Sequence, residues 1–452
     1  MIHTLFNLRA RVTQVVCLLA VCSVAAHALS ENWSQFRGDN ANGVVSEGEL
    51  PVTWGPDNHV LWKVSLPGNG WSQPIAWGER IFVTTAETDN QAKPDPKFTT
   101  PGFGAKAPTD VSYRWKVLCL DAASGKTLWE KTARDGPPTV PTHRNNTYAS
   151  ETPATDGERV VAYFGMTGVY CYDLVGNLLW TRDLGTHPTM FGWGTGSSPI
   201  LFGDKVYIQC DNDEASFLVA LDKRTGKDVW RADREEQTNW STPYVWKNKN
   251  RTELVTAGGG KFRSYDPESG KLLWSMTGSG RTATTPVGNA DLLYVDSYDR
   301  FSGGFGVLAA IRPGASGDIS LGFSDTSNSH VAWNALMKGF RVASPVIAKD
   351  CVYVLEEFAG VIRCLDANTG KEHYRKRVPE AAAGFTASPL VHGDNVYCTD
   401  QRGRTHVIAA GPEFRVVARN DLNDEMCWAS PAVAGNHIFL RTTDHLYAVG
   451  TK

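Results

Sequence analysis

The stretch that decides the fold is SSPILFGDKVYIQC at residues 197–210, followed by LVALDKRTGKDVW at residues 218–230. A Gly-Asp-Lys turn separates the first two short apolar runs, and a Thr-Gly-Lys turn precedes the last. Alternating apolar residues and glycine-containing turns predict four short antiparallel strands, because glycine readily takes the positive φ that tight turns need. No long period of about 3.6 residues, the sign of an amphipathic helix, is persuasive anywhere in the chain.

An internal repeat extends this pattern along the chain. Further copies of its first half are ASPLVHGDNVYCTD at residues 387–400 and ASPAVAGNHIFLRT at residues 429–442. Each copy starts near a proline, which a strand tolerates at its first residue, and most of these prolines are 42 to 46 residues apart. Four strands at such a period are typical of a β-propeller blade, so the sequence predicts an all-β, eight-bladed propeller of four-stranded antiparallel blades. The marker prolines are Pro74, Pro153, Pro199, Pro243, Pro286, Pro345, Pro389 and Pro431.

The two ends of the repeat array predict how the ring closes. The last copy has three predicted strands and lacks a fourth. HVLWKV at residues 59–64 resembles a fourth strand, yet no first three strands precede it. Pairing of this N-terminal strand into the last blade would cover the open edge of that blade. We expect residues 29–452 to form a single eight-bladed domain, with loop insertions at about residues 87–113 and at residues 298–306.

The Leu-Asp-x-x-Thr-Gly-Lys-x-x-Trp unit, seen at residues 221–230, resembles the pyrroloquinoline-quinone-like repeat, also called the tryptophan-docking repeat. Quinoprotein alcohol dehydrogenases and the outer-membrane assembly factor lipoproteins share this repeat. WSQFRG at residues 33–38 also looks like the start of secreted bacterial members. The resemblance implies a propeller in which one tryptophan per blade docks against the next blade, with Tyr374 in place of a seventh. The expected docking residues are Trp62, Trp129, Trp180, Trp230, Trp274 and Trp333.

Charge and terminal sequence bear on location and partners. The formal net charge of −3 lacks the basic bias of a nucleic-acid-binding protein. Arg9 and Arg11, an apolar run and Ala26-His27-Ala28 predict a signal peptide over residues 1–28, cleaved near Ala28. No later stretch approaches 18 apolar residues, so we expect no transmembrane span. The prediction is an exported, periplasmic or extracellular protein of bacterial type, monomeric, with a partner in the cell envelope.

The cysteines suggest small core residues. Cys119, Cys171 and Cys364 share one repeat position, which alanine or serine fills elsewhere, so we expect buried thiols. The alternative is a disulfide, for which the best candidates are Cys351 and Cys364, on neighbouring predicted strands. No Cys-x-x-Cys or Cys/His pattern predicts a zinc site. The resemblance to quinoprotein dehydrogenases implies a vicinal disulfide beside the cofactor, and this chain has no adjacent cysteines.

In a propeller, the connections from strand four to the next strand one and from strand two to strand three lie on one face, which we call the top face. Aromatic side chains beside arginine, asparagine and histidine suit a sugar, a planar cofactor or a peptide. Alternatively, Trp71, Trp240 and Trp428 only plug the funnel where the blades converge. The candidate ligand-binding residues are Trp71, His143, Arg144, Tyr148, Trp193, Trp240, Arg281, Arg341, Phe385 and Trp428.

No motif assigns a catalytic acid, base or metal ligand. Glu151, Asp296, Glu356 and Asp400 are expected near the top face, and the residues 211–214 (DNDE) could supply oxygen ligands. We predict a non-catalytic exported propeller that binds a protein, peptide or glycan through its top face, with no cofactor. The alternatives are an oxidoreductase dependent on pyrroloquinoline quinone (PQQ) with calcium, which the resemblance implies, and an envelope or outer-membrane protein assembly factor.

Overall fold

Eight four-stranded antiparallel blades form a ring around a central channel in the computed structural model, which describes residues 32–89, 94, 106–299, 301, 303–381, 383–422 and 426–451. Each marker proline immediately precedes the innermost strand of a blade. The only helical segments in these residues are the 3-10 turns Gly165–Thr167 and Met190–Gly192. No helix there is long and apolar enough to span a membrane. The all-β, eight-bladed prediction is confirmed.

We number the blades along the chain and the strands from the channel outward. Blades 1 to 4 contain Ile75–Trp77, Arg80–Glu87, Tyr113–Asp121 and Thr127–Gly136; Ala154–Thr155, Arg159–Tyr163, Val169–Asp173 and Leu178–Arg182; Ile200–Phe202, Lys205–Cys210, Phe217–Asp222 and Asp228–Asp233; and Tyr244–Lys247, Thr252–Ala257, Lys261–Tyr265 and Leu272–Thr277. Blades 5 to 8 contain Val287–Gly288, Leu293–Asp299, Phe305–Ile311 and Val331–Lys338; Val346–Ala348, Cys351–Leu355, Val361–Asp366 and Glu372–Arg377; Leu390–His392, Asn395–Thr399, Thr405–Ala409 and Val416–Asn420; and Ala432–Ala434, His437–Arg441, His445–Gly450 and Val60–Ser65.

The ring closes as the sequence predicts. Val60–Ser65 pairs antiparallel with His445–Gly450 as strand four of blade 8, with Trp62 opposite Ala448. The N-terminal part of the chain therefore supplies the strand that the last repeat lacks.

Tryptophans of strand four join neighbouring blades. The indole of Trp180, for example, lies over Gly226 in the turn of blade 3, and its Nε1 donates a hydrogen bond to Lys223 O at 2.9 Å. Trp274 departs from this arrangement, because blade 5 lacks the Thr-Gly-Lys turn. Its Nε1 donates instead to Glu253 Oε2, in its own blade, at 2.7 Å. The other indoles that donate to a carbonyl of the next blade are Trp62, Trp129, Trp230 and Trp333.

The repeat position that cysteine, alanine or serine fills lies directly opposite the docking aromatic ring. Cys119 faces Trp129, Cys171 faces Trp180, and Ala220 faces Trp230 on the adjacent strand. A small side chain there lets the indole lie across the strand. All seven cysteines of the described residues are buried free thiols, including Cys351 and Cys364, so the expectation of buried thiols is confirmed. Burial raises the pKa of Cys119 and of Cys171 to about 12, which keeps both protonated.

A glycine substitution tests the docking contact. Gly226 has φ +69°, and a Cβ placed there would lie 2.5 Å from the Trp180 ring, so Gly226→Ala adds a steric clash to backbone strain. We expect it to lower the free energy of unfolding by about 2–4 kcal/mol. Gly203→Ala is the matched control: its φ of +61° carries similar strain, but nothing lies within 4 Å of the new Cβ. Denaturant unfolding of both variants gives the comparison, and equal losses would contradict the docking role.

The extra length of blade 5 lies elsewhere than predicted. Residues 298–306 are not an insertion, since the long strands Leu293–Asp299 and Phe305–Ile311 pair antiparallel along their length and leave only residues 300–304 between them. The added residues are 312–330, between strands three and four, where Gly317–Asp318 pairs in parallel with the outer strand of blade 4. The sequence misled because blade 5 has no Thr-Gly-Lys turn to mark the end of strand three. The predicted signal peptide and most of the loop at residues 87–113 lie outside the described residues.

A segment that we call the strap, residues 33–45, crosses the channel. It contacts inner strands on both sides of the ring, so it closes the end of the channel away from the top face. The sequence WSQFRG at residues 33–38 resembles the start of secreted family members, but it does not predict this crossing. The strap bonds are Trp33 N to Ala76 O in blade 1, Thr155 N to Ser34 O in blade 2, Leu201 N to Gln35 Oε1 in blade 3, Arg37 Nη2 to Pro345 O in blade 6, and Val391 N to Gly43 O in blade 7.

A ring of hydroxyl groups joins the inner ends of the blades. The residue before each marker proline is serine or threonine in blades 2 to 8, and Gln73 in blade 1. From Gln73 in blade 1 to Ser388 in blade 7, the N–H of each of these residues donates to the side chain of its counterpart in the next blade, as from Thr152 to Ser198 at 2.9 Å. Gln73 links blade 1 back to blade 8 through a bond from Nε2 to Pro431 O. The seven residues whose hydroxyls accept these bonds are named the hydroxyl ring. They are Thr152, Ser198, Thr242, Thr285, Ser344, Ser388 and Ser430.

Candidate functional site

A cavity of about 760 Å³ occupies the centre of the top face. Its wall comes from the connections that precede strand one of successive blades and from three connections between strands two and three, in blades 4, 5 and 6. Phe36 of the strap and six residues of the hydroxyl ring line it as well. Six of the ten predicted binding residues share this wall: Trp71, His143, Trp193, Trp240, Arg281 and Trp428.

Two stacked tryptophan pairs form part of the wall. Trp71 and Trp428 have ring centroids 5.6 Å apart, and Trp193 and Trp240 have theirs 5.9 Å apart, each pair inclined by 29°. Trp71 Nε1 donates to Asn145 O at 2.8 Å, and Trp240 Nε1 donates to Gly194 O at 2.9 Å. These bonds fix the orientation of both rings. The tryptophans therefore border an open cavity and do not fill it.

Three phenylalanines that sequence analysis missed stand at the cavity mouth, and we call them the phenylalanine rim. Phe191, Phe301 and Phe358 are 51%, 55% and 45% exposed. Phe191 contacts both Trp193, at 5.6 Å between centroids, and Phe301, at 6.4 Å. Clustered exposed aromatic side chains mark a binding surface more often than scattered ones do. The available signal was phenylalanine in glycine-rich connections on the predicted top face.

The other four predicted binding residues lie elsewhere. Arg144 and Tyr148 line a neighbouring cavity of about 220 Å³. Phe385 is fully buried, edge-on to His406, and does not reach the central cavity. Arg341 is fully buried too, in a pair with Asp296.

Apart from Glu151, the acidic residues expected near the top face are paired with basic side chains. Arg341 Nε lies 2.9 Å from both carboxylate oxygens of Asp296, and Arg341 Nη2 donates to Ser297 O. Burial still raises the pKa of Asp296 above its ordinary value, against the attraction of Arg341. Similar partners engage the remaining carboxylates, so they are occupied in structural pairs. These pairs are Asp211 with Arg234, Glu356 with Arg363 and Arg375, and Asp400 with His406.

Glu151 differs from these carboxylates. It is buried, and it accepts a hydrogen bond from Thr195 Oγ1, with no ion-pair partner in the described part of the chain. Burial raises the pKa of Glu151 to about 7. The Glu151 carboxyl can therefore take up or lose a proton near neutrality, but it is not part of the cavity wall.

The donor set does not fit a calcium-bound quinone. Among the described residues, no three His, Cys, Asp or Glu side chains are grouped so that they could hold a metal ion. Asp211 is paired with Arg234, and Asn212 Oδ1 accepts the N–H groups of Glu214 and Ala215 within its own loop. The residues 211–214 are therefore committed to the local fold.

Comparison with known proteins gives a family. A family model described as "Outer membrane protein assembly factor BamB" matches residues 109–239 and 214–449. No curated protein matches the sequence.

Two solved structures with TM-scores above 0.5 show the same fold at low sequence identity. BamB from Moraxella catarrhalis is 14% identical with a TM-score of 0.53, over 81% of this chain and 98% of that chain. The computationally designed Ika8 protein is 12% identical with a TM-score of 0.53, over 76% and 96%. A europium-containing methanol dehydrogenase is 12% identical with a TM-score of 0.46, over 84% and 89%. Because the family model matches well over half of the sequence, the chain belongs to the pyrroloquinoline-quinone-like repeat family described as outer membrane protein assembly factor BamB.

Proposed function

We propose that the protein is a non-catalytic scaffold that binds an extended segment of a partner polypeptide in the central cavity. The observation that carries the proposal is the wall of stacked tryptophans beneath the exposed phenylalanine rim. A cavity of about 760 Å³ is within the usual size range of a binding pocket. Aromatic anchors in such a pocket supply much of the affinity of a protein interface.

Three features support a polypeptide over a glycan or a quinone. Phenylalanine offers no hydrogen bond to a sugar, whereas its exposed ring attracts apolar side chains of a peptide. The buried carboxylates Asp296, Glu356 and Asp400 are engaged by Arg341, Arg363, Arg375 and His406, so they are poor candidates for an acid or a base. The family description, an outer membrane protein assembly factor, also supports a protein partner.

The location belongs to the same proposal. Residues 1–28 act as a signal peptide that directs export, and residues 29–452 act as one monomeric domain in the cell envelope. The family description supports an envelope location.

Site-directed cross-linking tests the proposal. A photoreactive p-benzoylphenylalanine in place of Val342, which lines the cavity, is expected to form an adduct with a partner polypeptide in cells. The double variant Phe191→Ser/Phe301→Ser should reduce the adduct by about tenfold, because two of the three aromatic anchors of the mouth are lost. Quantified adduct bands give the measurement.

The control uses equally exposed apolar residues far from the cavity. Leu128 and Leu272, on outer strands, are 49% and 48% exposed, so Leu128→Ser/Leu272→Ser matches the change in surface polarity. We expect this variant to leave the adduct unchanged. Equal effects of the two double variants would contradict binding at the phenylalanine rim, as would turnover of an alcohol upon addition of quinone and calcium.

A further inference from the structure

The hydroxyl groups of the hydroxyl ring are hydrogen-bond donors that are not used within the described structure. Each of its seven hydroxyls accepts an N–H from the neighbouring blade, and within the described residues none of the seven donates a bond of its own. A serine or threonine hydroxyl can do both. All but Thr285 line the cavity. The lower wall of the cavity therefore offers six unused O–H donors, one from each of blades 2, 3, 4, 6, 7 and 8.

Two buried arginines lack a negative partner among the described residues; neither is itself part of the cavity wall, but each lies next in the chain to, or bonds to a neighbour of, a residue that lines the cavity. Arg37 is 1% exposed and follows Phe36, which lines the cavity. Its Nη2 donates to Pro345 O, next to cavity-lining Ser344, while its Nε and Nη1 make no hydrogen bond in the described structure. Burial lowers the pKa of Arg37 to about 10, so the guanidinium remains charged at neutral pH.

Arg441 repeats this situation at the closure of the ring. It is 2% exposed, and its Nη1 donates to Ser72 O, Ser72 Oγ and Thr84 O. Its Nε has no hydrogen-bond partner, and no carboxylate pairs with it among the residues described. Arg234 and Arg341, by contrast, each face an aspartate. Unpaired buried charge is costly, and an anion in the adjacent cavity would offset that cost.

The shape of the cavity restricts how a chain can enter it. The strap closes the channel beneath the cavity, so an extended segment cannot pass through the ring. A segment that enters from the top face must end or turn back above the strap. Two acidic residues of the cavity wall, Asp299 and Glu357, lie at the connections between strands two and three beside Phe301 and Phe358, so the hydroxyl ring itself contains no negative charge. Neutral O–H donors near buried positive charge suit a carboxylate, and they disfavour an ammonium group.

We propose that the lower wall of the cavity binds a carboxylate, and that, given the proposed function on which this assignment rests, it is the C-terminal carboxylate of the partner polypeptide. The side chains near the chain end then lie against the tryptophan pairs, and the phenylalanine rim contacts residues further back.

The test compares an acid with its neutral isostere. The probes are 3-phenylpropionate and 3-phenylpropionamide, titrated into the purified chain of residues 29–452 by calorimetry and tryptophan fluorescence. Saturable binding of the acid, at least about tenfold tighter than that of the amide, is expected, since only the acid uses the O–H donors with full charge. Equal affinity, or no binding of the acid, overturns the proposal.

Variants locate the charge. Arg37→Gln should weaken binding of the acid by about fivefold or more, whereas Arg224→Gln, which removes one positive charge from an exposed turn, should not change it. If Arg37→Gln fails to fold, Arg37→Lys preserves the charge, and the comparison of acid with amide on the unaltered chain decides the matter. Loss of affinity in Arg224→Gln equal to that in Arg37→Gln counts against the site.

Further arms separate the sources of the anion. If acetate or inorganic phosphate binds as tightly as 3-phenylpropionate, the proposed site binds a free oxyanion. That result would overturn the assignment to a C-terminal carboxylate. Cross-linking at residue 342 that depends on the phenylalanine rim, together with no binding of the acid, would overturn the carboxylate seat and leave the proposed function standing.

Discussion

Replacement of Trp333 by alanine is expected to lower the free energy of unfolding by about 3–5 kcal/mol. Trp333 is 5% exposed, contacts the ring of Tyr294 at 5.9 Å between centroids with the planes tilted by 45°, and lies over Gly370 of the next blade. Its Nε1 donates to Ala367 O at 2.8 Å. Alanine therefore removes the packing and the hydrogen bond between blades 5 and 6 together. Guanidinium unfolding followed by circular dichroism measures the loss.

Trp333→Phe separates the two contributions. Phenylalanine keeps much of the ring over Gly370 but cannot donate to Ala367 O, so a smaller loss of about 1–2 kcal/mol is expected. If Trp333→Ala cost less than about 1 kcal/mol, the docking tryptophans would not be the main contact between blades.

Arg341→Met is expected to cost about 3–5 kcal/mol, because it leaves the Asp296 carboxylate buried without its cation. The double variant Arg341→Met/Asp296→Leu should recover most of this loss, since two apolar side chains of similar size leave no buried charge. Arg281→Met is the control: Arg281 lines the cavity with a partly exposed side chain, and its replacement should cost less than about 1 kcal/mol.

The Arg341→Met loss should also depend on pH. Burial raises the pKa of Asp296, and removal of Arg341 removes an interaction that lowers it. A carboxyl with a raised pKa in the folded state destabilises the protein as pH rises above the ordinary aspartate pKa of about 3.9. The variant should therefore lose less stability at pH 5 than at pH 7. A loss that is equal at both values, or absent, would contradict a structural role for this pair.

The blade architecture could be predicted from the sequence because the patterns that indicate it are local. Proline before strand one, glycine in the turns and alternation within strands all act over a few residues, so each repeat predicts its own four strands. Residues 298–306 misled for the same reason: the local turn signal is missing in blade 5, and length alone could not show where the extra residues lie.

Part of the cavity wall could be predicted from the sequence, because the repeat fixes the positions of its residues relative to the marker prolines. Trp71, Trp240 and Trp428 each stand three residues before a marker proline, and all three line the cavity. Arg341 and Phe385 stand one residue further back, and their side chains are buried within the blades. Adjacent residues of an extended chain point to opposite sides, which explains the difference. The phenylalanine rim has no repeat position, so the repeat pattern gave no sign of it.

The strap could not be predicted, since its partners are far away in sequence. Arg37 reaches Pro345, and Gly43 reaches Val391, through contacts that no local pattern encodes. The same holds for the proposed carboxylate site, whose residues come from distant parts of the chain: Phe36 and Arg37 from the strap, the hydroxyl ring from seven blades and Arg441 from blade 8.

The strap and the closing strand also set an order on assembly. Val44–Val45 pairs with Leu390–His392, and Val60–Ser65 pairs with His445–Gly450, so the earliest described residues wait for the latest ones. Closing loops of several hundred residues is entropically slow, and until then an apolar segment and an unpaired strand stay exposed. During synthesis on a ribosome, Leu390–His392 and His445–Gly450 emerge long after the N-terminal strands with which they pair. Completion of the ring therefore requires His445–Gly450, and a chain truncated before that strand remains open to proteases and chaperones.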